Sequence, residues 1–469
     1  MDAGARLSGT AGRVLDAVFS LRSRLHLGAD ESASLAFVTA YAESREEALQ
    51  LADQYRDPRV VQRTFEMAWA QSQVELRHLH ASPASVQLFQ RLASFVMFPD
   101  LSLRASTEVM EANRRGQRAL WRYGISGDDP VVLLRVTEPA HRAMVRELLL
   151  AHEFWHLHGL KVDLVIVNEH PAGYFDEFQE QLLETIHSAS RMPLYQSGGV
   201  YLLRAAQVDA EDSILLQAAA AVSMHAERGS LARQLESVPA SLPEPQPELR
   251  VSRPEGPAVA ESPLEPRSSL EFGGSYGGFN ERGDYIVDLK AGQTTPQPWS
   301  NVVANPNFGF LVTESGGGYT WAGNSRENKL TEWRNDPVSD VPSEILYLRD
   351  EESGRLWTPT PSPLRDAGEY RCEHRRGATQ FVHRANGIRS DLLLSIPPDA
   401  CIKFACLKLR NDSDQSRTIS ATYFAEWVLG AFRQQSQMHV LTSLDEATGA
   451  LVAQNRYHED YPDQIAFLH

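Results

Sequence analysis

The chain has 469 residues, enough for two or three domains with separate cores. Hydrophobic residues make up 42% of it and charged residues 23%, which is typical of water-soluble globular proteins. The formal net charge of −16 argues against a nucleic-acid partner, because no basic surplus exists to neutralise phosphates. The negative charge does not argue against binding of a neutral sugar polymer.

Cysteine content and the apolar pattern indicate the compartment. Cys372, Cys401 and Cys406 are too few for a disulfide framework, which favours a reducing environment. No apolar run approaches the length that spans a bilayer, and the N-terminus lacks the apolar core of a signal peptide. We expect a soluble, cytoplasmic polypeptide without a membrane span.

The first 125 residues divide into two parts. Within residues 1–43, the run Ser34–Tyr41 is predicted to form a β-strand, although few partners precede it. Across residues 44–125 the apolar residues recur at helical spacing, and Ser82-Pro83 is typical of a helix start. The helix that follows is expected to bury Phe89, Leu92 and Val96.

Residues 126–237 alternate between predicted strands and helices. The predicted strands are Val131–Val136, Val162–Val167 and Val200–Arg204, and the last predicted helix covers Asp212–Ala226. A βαβαβα order predicts a small parallel sheet with right-handed crossovers. The strands are nearly all apolar, as burial on both faces of such a sheet requires.

Two short motifs in this region have alternative interpretations. His152-Glu153-Phe154-Trp155-His156 matches the H-E-x-x-H zinc pattern. We interpret the match as coincidence, because the helix stops at Gly159 and the third histidine of the longer pattern would fall at Val162, in a buried strand. Asn168-Glu169-His170 follow a strand, where open α/β sheets bind ligands, but a connecting loop is the simpler interpretation. We predict no metal site.

A composition change marks the clearest boundary in the chain. Residues 238–269 are rich in proline, glutamate and serine, which predicts an extended linker. Residues 270–469 read as strands separated by turn residues, which predicts a large antiparallel sandwich. The last long strand is predicted over Thr418–Leu429, with Glu426 on the face opposite Trp427.

The most informative stretch covers residues 304–340. Alternation over Phe308–Val312 predicts a short strand that enters a turn at Gly316-Gly317-Gly318. Aromatic rings suit the C–H faces of sugars, and amides or guanidinium groups suit their hydroxyls. On spacing alone, rings packed inside a sandwich are the commoner outcome. The candidate sugar-facing residues are Tyr319, Trp321, Asn324, Arg326 and Trp333.

The run from Gly316 to Asp340 resembles the N-terminal sandwich of glycoside hydrolase family 94, the cellobiose phosphorylase family. The shared motifs are Trp-Ala-Gly-Asn-Ser-Arg-Glu-Asn and Asn-Asp-Pro-Val-Ser-Asp, and the likeness continues through Glu344–Asp350 and Glu426–Gly430. Within the family, the chain is similar to cyclic β-1,2-glucan synthases and β-1,2-oligoglucan phosphorylases along nearly its whole length. The resemblance implies a multidomain α+β protein with an incomplete C-terminal β-supersandwich, and residues 1–43 as the truncated end of an earlier sandwich.

The resemblance also implies a chemistry. Family-94 enzymes perform inverting phosphorolysis, in which phosphate attacks the sugar and one acid protonates the leaving oxygen, on a helical (α/α) barrel downstream of the sandwich. Because the chain stops at His469 among strands, we assign no catalytic residue and expect no activity from it alone. No cofactor is implied, and inorganic phosphate would be the co-substrate of the intact enzyme. The spacing selects no acid pair from Glu314, Asp336, Asp340 and Glu344.

Two functions remain open at this point. The first is the β-glucan-binding sandwich of a β-1,2-glucan synthase or phosphorylase, with a separate chain as one candidate carrier of the barrel. The second is a stand-alone carbohydrate-binding or assembly module without activity. The parent synthases would be associated with the inner membrane.

Overall fold

The computed structural model describes residues 20–171, 177–238, 263–265 and 270–469, together with Gly9, Gly12 and Val18. The chain divides into two compact units, residues 1–87 and 88–469. Among the described residues, no helix combines the length and the hydropathy that crossing a bilayer requires.

The first unit contains two complete helices. The helix α1 (Arg45–Gln54) begins after Ser44, whose hydroxyl accepts the Glu47 N–H at 3.2 Å. The helix α2 (Pro58–His78) begins after Asp57, whose carboxylate caps the first turn in the same way. Such caps satisfy N–H groups that have no partner within the helix. The predicted helical character of this region is confirmed here.

The predicted strand over Ser34–Tyr41 is wrong. These residues have no strand structure, and their side chains are exposed. A strand needs a neighbour to share its backbone hydrogen bonds, and the described residues of this unit contain no other strand. Apolar alternation is therefore not sufficient for a strand at this position.

The helix α3 (Pro83–Met97) leads into the second unit and buries Phe89, Leu92 and Val96, as predicted. The short helix α4 (Thr107–Ala112) follows. A parallel sheet then forms from β1 (Val131–Val136), β2 (Asp163–Asn168), β3 (Val200–Arg204) and β4 (Ala220–His225). The helices around it are α5 (Arg142–Leu157), α6 (Glu177–Ala189), α7 (Ala210–Ala219) and α8 (Leu231–Glu236).

The order of this sheet is β3-β2-β1-β4, with every pair parallel. The predicted parallel α/β architecture is confirmed, but the single helix predicted over Asp212–Ala226 is wrong. Helix α7 ends at Ala219 and the chain continues directly as β4. The apolar run from Leu215 to Val222 suits a buried helix and a buried strand equally, so periodicity does not locate the change.

Most of the predicted linker lies outside the described residues, which include only 263–265 of it. Leu264 is buried, and its N–H donates to the Glu369 carboxylate at 3.0 Å. The Pro263 carbonyl accepts from Arg384 at 3.0 Å. This short piece is thus fixed to the strand-rich region that follows.

The rest of the second unit is built from strands and one short helix, α9 (Arg433–Ser436). Its strands in chain order are β5 (Gly277–Phe279), β6 (Tyr285–Leu289), β7 (Ser300–Ala304), β8 (Phe308–Thr313), β9 (Gly318–Ala322), β10 (Lys329–Thr331), β11 (Glu344–Asp350), β12 (Leu356–Trp357), β13 (Tyr370–Arg375), β14 (Ala378–Ala385), β15 (Ile388–Ser395), β16 (Phe404–Asn411), β17 (Ile419–Ala425), β18 (Trp427–Gly430), β19 (Val440–Leu444), β20 (Leu451–Asn455) and β21 (Ile465–Leu468).

These strands form four antiparallel sheets. Their orders are β16-β15-β14-β13-β6-β5, β18-β10-β9-β8-β7, β12-β11-β17 and β19-β20-β21. The first two sheets pack face to face, because Val287 and Phe381 from one share a buried cluster with Phe310 and Val312 from the other. The predicted antiparallel supersandwich is confirmed. The strand predicted over Thr418–Leu429 is divided at Glu426 into β17 and β18, which belong to different sheets.

Candidate functional site

The hairpin β8–β9 depends on its glycine turn. Gly316 and Gly318 have φ angles of +97° and +141°, a region that L side chains rarely adopt. A Cβ at Gly317 would lie 2.1 Å from the Asp340 Oδ1. The same Asp340 carboxylate accepts the Thr313 hydroxyl at 2.6 Å. The glycines therefore let the turn dock on the loop that follows β10, and this contact links the two ends of the Gly316–Asp340 motif.

Three rings from this motif form a cluster, which we call the aromatic ledge: Tyr319 and Trp321 on β9, and Trp333 just after β10. The Tyr319 ring stacks on Trp333 with centroids 5.2 Å apart at 28°, and it lies 5.2 Å from Trp321 at 38°. All three rings are half-buried. The ledge therefore lies at the surface of the sandwich and not within its hydrophobic core.

A glycine on the neighbouring strand gives the Trp321 ring its position. Gly309 on β8 pairs directly with Trp321 on β9. A Cβ built on Gly309 would lie only 2.3 Å from the Trp321 Cζ2. The indole therefore packs against bare backbone, and any larger residue at position 309 would displace it.

The polar members of the candidate site lie in the adjoining loop. The Asn324 Oδ1 accepts the N–H groups of Arg326 and Glu327 at 2.9 and 3.0 Å, so this amide oxygen shapes the turn. The Arg326 side chain is 83% exposed and contacts the Glu327 carboxylate at 3.2 Å. The Tyr319 hydroxyl donates to the Ser325 carbonyl at 3.2 Å, which places this loop beside the ledge. Burial raises the Tyr319 pKa.

On the opposite face of β9, Thr320 contacts a buried ion pair that sequence reasoning did not find. The Lys403 ammonium lies 2.6 Å from the Glu344 carboxylate, and their side chains are 12% and 11% exposed. Hydroxyls of Thr320, Thr331 and Tyr423 donate to the same carboxylate at 2.5 to 2.7 Å. Burial would raise the Glu344 pKa, but Lys403 and the hydroxyls outweigh it and lower the pKa to about 2.

Two features of the sequence could have indicated this cluster. Lys403 interrupts the otherwise apolar run from Cys401 to Cys406, and a lysine within such a run requires an anionic partner if it is buried. Tyr423 falls on the apolar face predicted for the last long strand. Neither signal identified Glu344 as the partner, because Lys403 lies 59 positions away along the chain.

The other candidate carboxylates are also occupied by internal contacts. Glu314 is buried and accepts the Trp299 N–H at 2.6 Å, and burial raises its pKa. Asp336 caps the following loop by accepting the Val338 N–H at 2.9 Å. Asp340, as described above, holds the glycine turn. The structure therefore selects no acid pair beside the ledge from the four candidates.

Glu426 is half-buried and lies between two arginines. Its carboxylate contacts Arg433 at 2.9 Å and Arg334 at 3.3 Å. Arg334 directly follows Trp333 in the chain. The Glu426 contact therefore helps to fix the position of the Trp333 segment.

The H-E-x-x-H pattern does not bring its two imidazoles together as ligands. His152 is buried, and its Nε2 donates to the Val162 carbonyl at 2.7 Å. Burial lowers the His152 pKa. His156, in contrast, is exposed on the surface of α5. The first histidine thus serves the packing of α5 against the start of β2.

The segment after β2 has the contacts of a connecting loop. The buried Asn168 donates to the Gln179 side chain at 2.9 Å. Glu169 forms an ion pair with Arg135 at 2.6 Å. The His170 Nδ1 lies 2.8 Å from the carbonyl oxygen of Thr137. Asn168, Glu169 and His170 thus each contact a neighbouring element.

The chain belongs to the glycosyl hydrolase 94 supersandwich-domain family, which matches residues 1–58 and 283–469. The second matched segment contains the aromatic ledge, its loop and the Glu344–Lys403 pair.

Three relatives show how this similarity is distributed. Cyclic beta-(1,2)-glucan synthase NdvB of Rhizobium meliloti (strain 1021) is 32% identical over 479 residues, which cover 100% of this chain and 17% of NdvB. N,N′-diacetylchitobiose phosphorylase of Vibrio proteolyticus is 28% identical over 177 residues, 37% of this chain and 22% of that enzyme. The 3-O-beta-D-glucopyranosyl-beta-D-glucuronide phosphorylase of Paenibacillus borealis is 25% identical over 148 residues, 31% of this chain and 18% of that enzyme. The aligned regions thus span between 17% and 22% of the length of these relatives.

Proposed function

We propose that this chain is the carbohydrate-binding sandwich of a β-1,2-glucan synthase or phosphorylase system. In this proposal the aromatic ledge and the loop carrying Asn324 and Arg326 contact a β-glucan oligosaccharide. The observation that carries the proposal is the ledge itself, because the Tyr319 ring contacts both Trp321 and Trp333 and all three rings are half-buried beside a polar loop. The similarity to NdvB, which extends along the whole of this chain, supports β-1,2-glucan over other saccharides.

The ledge has the physical properties that sugar binding needs. Pyranose rings present C–H groups that pack on aromatic faces, while their hydroxyls need fixed donors and acceptors. The ring contacts and the Gly309 backbone already restrict the three side chains, so little conformational entropy is lost when a ligand packs on them. The exposed Arg326 guanidinium supplies donors next to the rings.

We propose that the catalytic residues lie outside these 469 residues. They would be carried either by a separate chain with the helical barrel or by another part of a longer protein. The candidate acids near the ledge are bound internally, which supports a binding role for this region. We further propose that residues 1–43 are the end of an earlier sandwich, which the family match to residues 1–58 supports. A cytoplasmic location remains part of this proposal.

The binding test is a calorimetric titration with cyclic β-1,2-glucan and sophorose. N,N′-diacetylchitobiose serves as the comparison saccharide, because one of the relatives is named for it. We expect Trp321→Ala to weaken β-1,2-glucan binding roughly ten- to one-hundred-fold, since a stacked aromatic contributes about 1–3 kcal/mol.

Trp69→Ala is the matched control, because Trp69 is 69% exposed and lies outside the ledge. It should leave the affinity unchanged. Equal loss in both variants, or no binding of any saccharide by the folded wild-type chain, would contradict the proposal.

The second test measures turnover. With glucose-1-phosphate as donor and sophorose as acceptor, we expect no phosphate release by this chain alone. Sustained release by the purified chain would show that it contains the catalytic acid, and would refute the division between binding and chemistry proposed here.

A further inference from the structure

A cavity lies inside the second unit, between its parallel-sheet part and its strand-rich part. It has a volume of about 940 Å³, and its walls come from within residues 96–110 and 127–131 on one side and residues 430–441 and 457–460 on the other. Ligand sites in proteins are typically clefts of about 300–1,000 Å³, so this cavity has room for a small molecule. We call it the sheet–sandwich cleft.

Direct hydrogen bonds hold the two sides of the cleft together. The Gln117 N–H donates to the Tyr457 carbonyl at 3.0 Å, and the Arg456 side chain donates to the Asn113 carbonyl at 3.0 Å. The Tyr457 hydroxyl donates to the Gly127 carbonyl at 3.3 Å, and a Cβ at Gly127 would lie 2.5 Å from that hydroxyl. The walls are therefore fixed before a ligand binds, which reduces the entropy lost on binding.

His439 is the buried polar residue of the cleft wall that lacks a partner. It is 5% exposed, and its Nδ1 has no hydrogen-bond partner in the part of the chain that the structure describes. Its ring stacks on Tyr457 with centroids 4.0 Å apart at 18°, so its orientation is fixed. Buried polar atoms in native proteins nearly always have a partner, and an exception calls for a group that completes it.

The imidazole of His439 is uncharged at neutral pH. Burial, with the Arg104 guanidinium nearby, lowers the His439 pKa to about 3. Arg104 is itself engaged, because it donates to the carbonyls of Met438 and Ala218. A neutral imidazole has one N–H donor and one bare nitrogen acceptor. A hydroxyl group, which both donates and accepts, suits either nitrogen.

The charges around the cleft favour an uncharged ligand. Each lining carboxylate already contacts a donor of its own chain, namely Gln117, Lys161, Arg326 or Arg118. An anion would be repelled by these carboxylates, and a cation would compete with the partners that they already have. The five carboxylates are those of Asp128, Asp129, Glu327, Glu459 and Asp460.

The remaining surface of the cleft suits a sugar. Phe98 and Phe432 line it and are 74% and 53% exposed, which leaves aromatic surface for C–H groups. The exposed amides of Gln434, Gln435 and Gln437 supply uncharged donors and acceptors for hydroxyls. None of the three rings of the aromatic ledge is among the described residues that line this cavity.

We propose that the sheet–sandwich cleft is a second carbohydrate site, separate from the aromatic ledge, and that it takes a short neutral saccharide with one hydroxyl bonded to His439. The choice of a β-1,2-linked glucose saccharide rests on the proposed function. The position of the site and the uncharged class of its ligand follow from the cleft itself.

The first test observes His439 directly. The chain, labelled with nitrogen-15 histidine, is titrated with sophorose and followed by nuclear magnetic resonance. Among the signals of its 15 histidines, those that disappear in His439→Phe belong to His439. We expect these signals to shift on titration, and to shift equally in the wild type and in Trp321→Ala. Unmoved His439 signals up to the solubility limit of sophorose would overturn the inference.

The second test compares affinities in the Trp321→Ala background, where calorimetry reports the cleft. Adding His439→Phe should weaken sophorose binding about ten-fold, through loss of one hydrogen bond. Because the phenyl ring keeps the stack on Tyr457 and removes an unpartnered nitrogen, the melting temperature should not fall. A lower melting temperature with unchanged affinity would assign His439 a structural role and overturn the inference.

A matched pair on α4 tests the position of the site. Thr107 and Ala112 are both exposed, but only Thr107 lines the cleft. In the same background, Thr107→Trp should weaken sophorose binding at least about ten-fold by obstructing the cleft, and Ala112→Trp should leave it unchanged. Equal effects of the two variants would contradict the assignment.

The ledge and the cleft fail separately in these tests. Shifted His439 signals, together with an unchanged affinity for β-1,2-glucan in Trp321→Ala, would refute the ledge and support the cleft. A loss of affinity in Trp321→Ala without any shift at His439 would refute the cleft and leave the proposed function in place.

Discussion

The two faces of strand β9 differ in almost every physical property. One face carries Tyr319 and Trp321, which are half-buried, uncharged and packed beside a loop of polar residues. The other carries Thr320, which donates to the buried Glu344 carboxylate. Because side chains alternate along a strand, five residues are enough to separate a surface suited to recognition from an interior fixed by charge. Substitutions on the two faces should therefore have separable effects.

The largest effect is expected at the buried pair. Lys403→Met leaves the Glu344 carboxylate without its cation and should lower the free energy of unfolding by about 3–5 kcal/mol. Guanidinium chloride unfolding followed by circular dichroism measures this change. Lys408→Met on the exposed side of β16 is the control, with an expected change below about 0.5 kcal/mol.

Adding Glu344→Gln to Lys403→Met should recover part of the loss, because the uncompensated charge is then removed. A change below about 1 kcal/mol for Lys403→Met alone would mean that the pair does not hold this side of the sandwich together.

Acid should lower the free energy of unfolding through protonation of Glu344. The folded-state pKa of Glu344, about 2, lies below its ordinary value of 4.5. Its contribution is therefore complete above about pH 4.5 and is lost as the pH falls towards 2, with a total of roughly 3 kcal/mol. Unfolding free energies at pH 6, 4.5 and 3 measure the slope. Glu344→Gln should flatten it, and an unchanged slope in that variant would assign the acid sensitivity to other groups.

The contact between β8 and the ledge gives the next effect. Gly309→Ala places a Cβ against the Trp321 indole and should cost about 1–3 kcal/mol, because the ring must move. Thermal unfolding measures the loss. In the Trp321→Ala background the same substitution should cost less, and the remaining cost should come from the Ala304 Cβ, which would lie 2.9 Å from the new methyl group. Gly274→Ala, where a Cβ meets no atom closer than 4.0 Å, is the control. Equal losses of stability in Gly309→Ala and Gly274→Ala would mean that Gly309 does not set the position of the Trp321 ring.

The smallest effect is expected at the ledge hydroxyl. Tyr319→Phe removes the hydrogen bond to the Ser325 carbonyl and keeps the ring, so it should lower stability by about 0.5–1 kcal/mol. The affinity for β-1,2-glucan should change little, since stacking is retained. Ser325→Ala leaves the backbone carbonyl in place and serves as the control. A large loss of affinity in Tyr319→Phe would instead assign the hydroxyl to sugar contact.

The sequence predicted the fold where the pattern is local. Val131–Val136 and Val200–Arg204 form strands with the predicted bounds, since continuous apolar runs bounded by turn residues define buried strands well. The strand predicted over Ser34–Tyr41 is wrong, and the change from α7 to β4 was not predicted, because both depend on which strands are available as neighbours.

The contacts of the candidate site likewise differ in how far apart their residues lie in the sequence. Tyr319, Trp321 and Trp333 lie within one motif, so their grouping follows from short-range spacing, and the structure places the Tyr319 ring against both tryptophans. Their role in binding sugar stays a prediction. The Glu344–Lys403 pair joins distant strands, and no local pattern encodes such a contact.

The positive charges on β16 affect how the chain behaves at high concentration. Lys408 and Arg410 alternate with Leu407 and Leu409, so they project from the other side of this edge strand. Arg410 is paired with Asp412 of its own chain, whereas Lys408 is exposed. Two copies aligned edge to edge would bring the Lys408 ammonium groups close together, which disfavours homotypic stacking into fibrils.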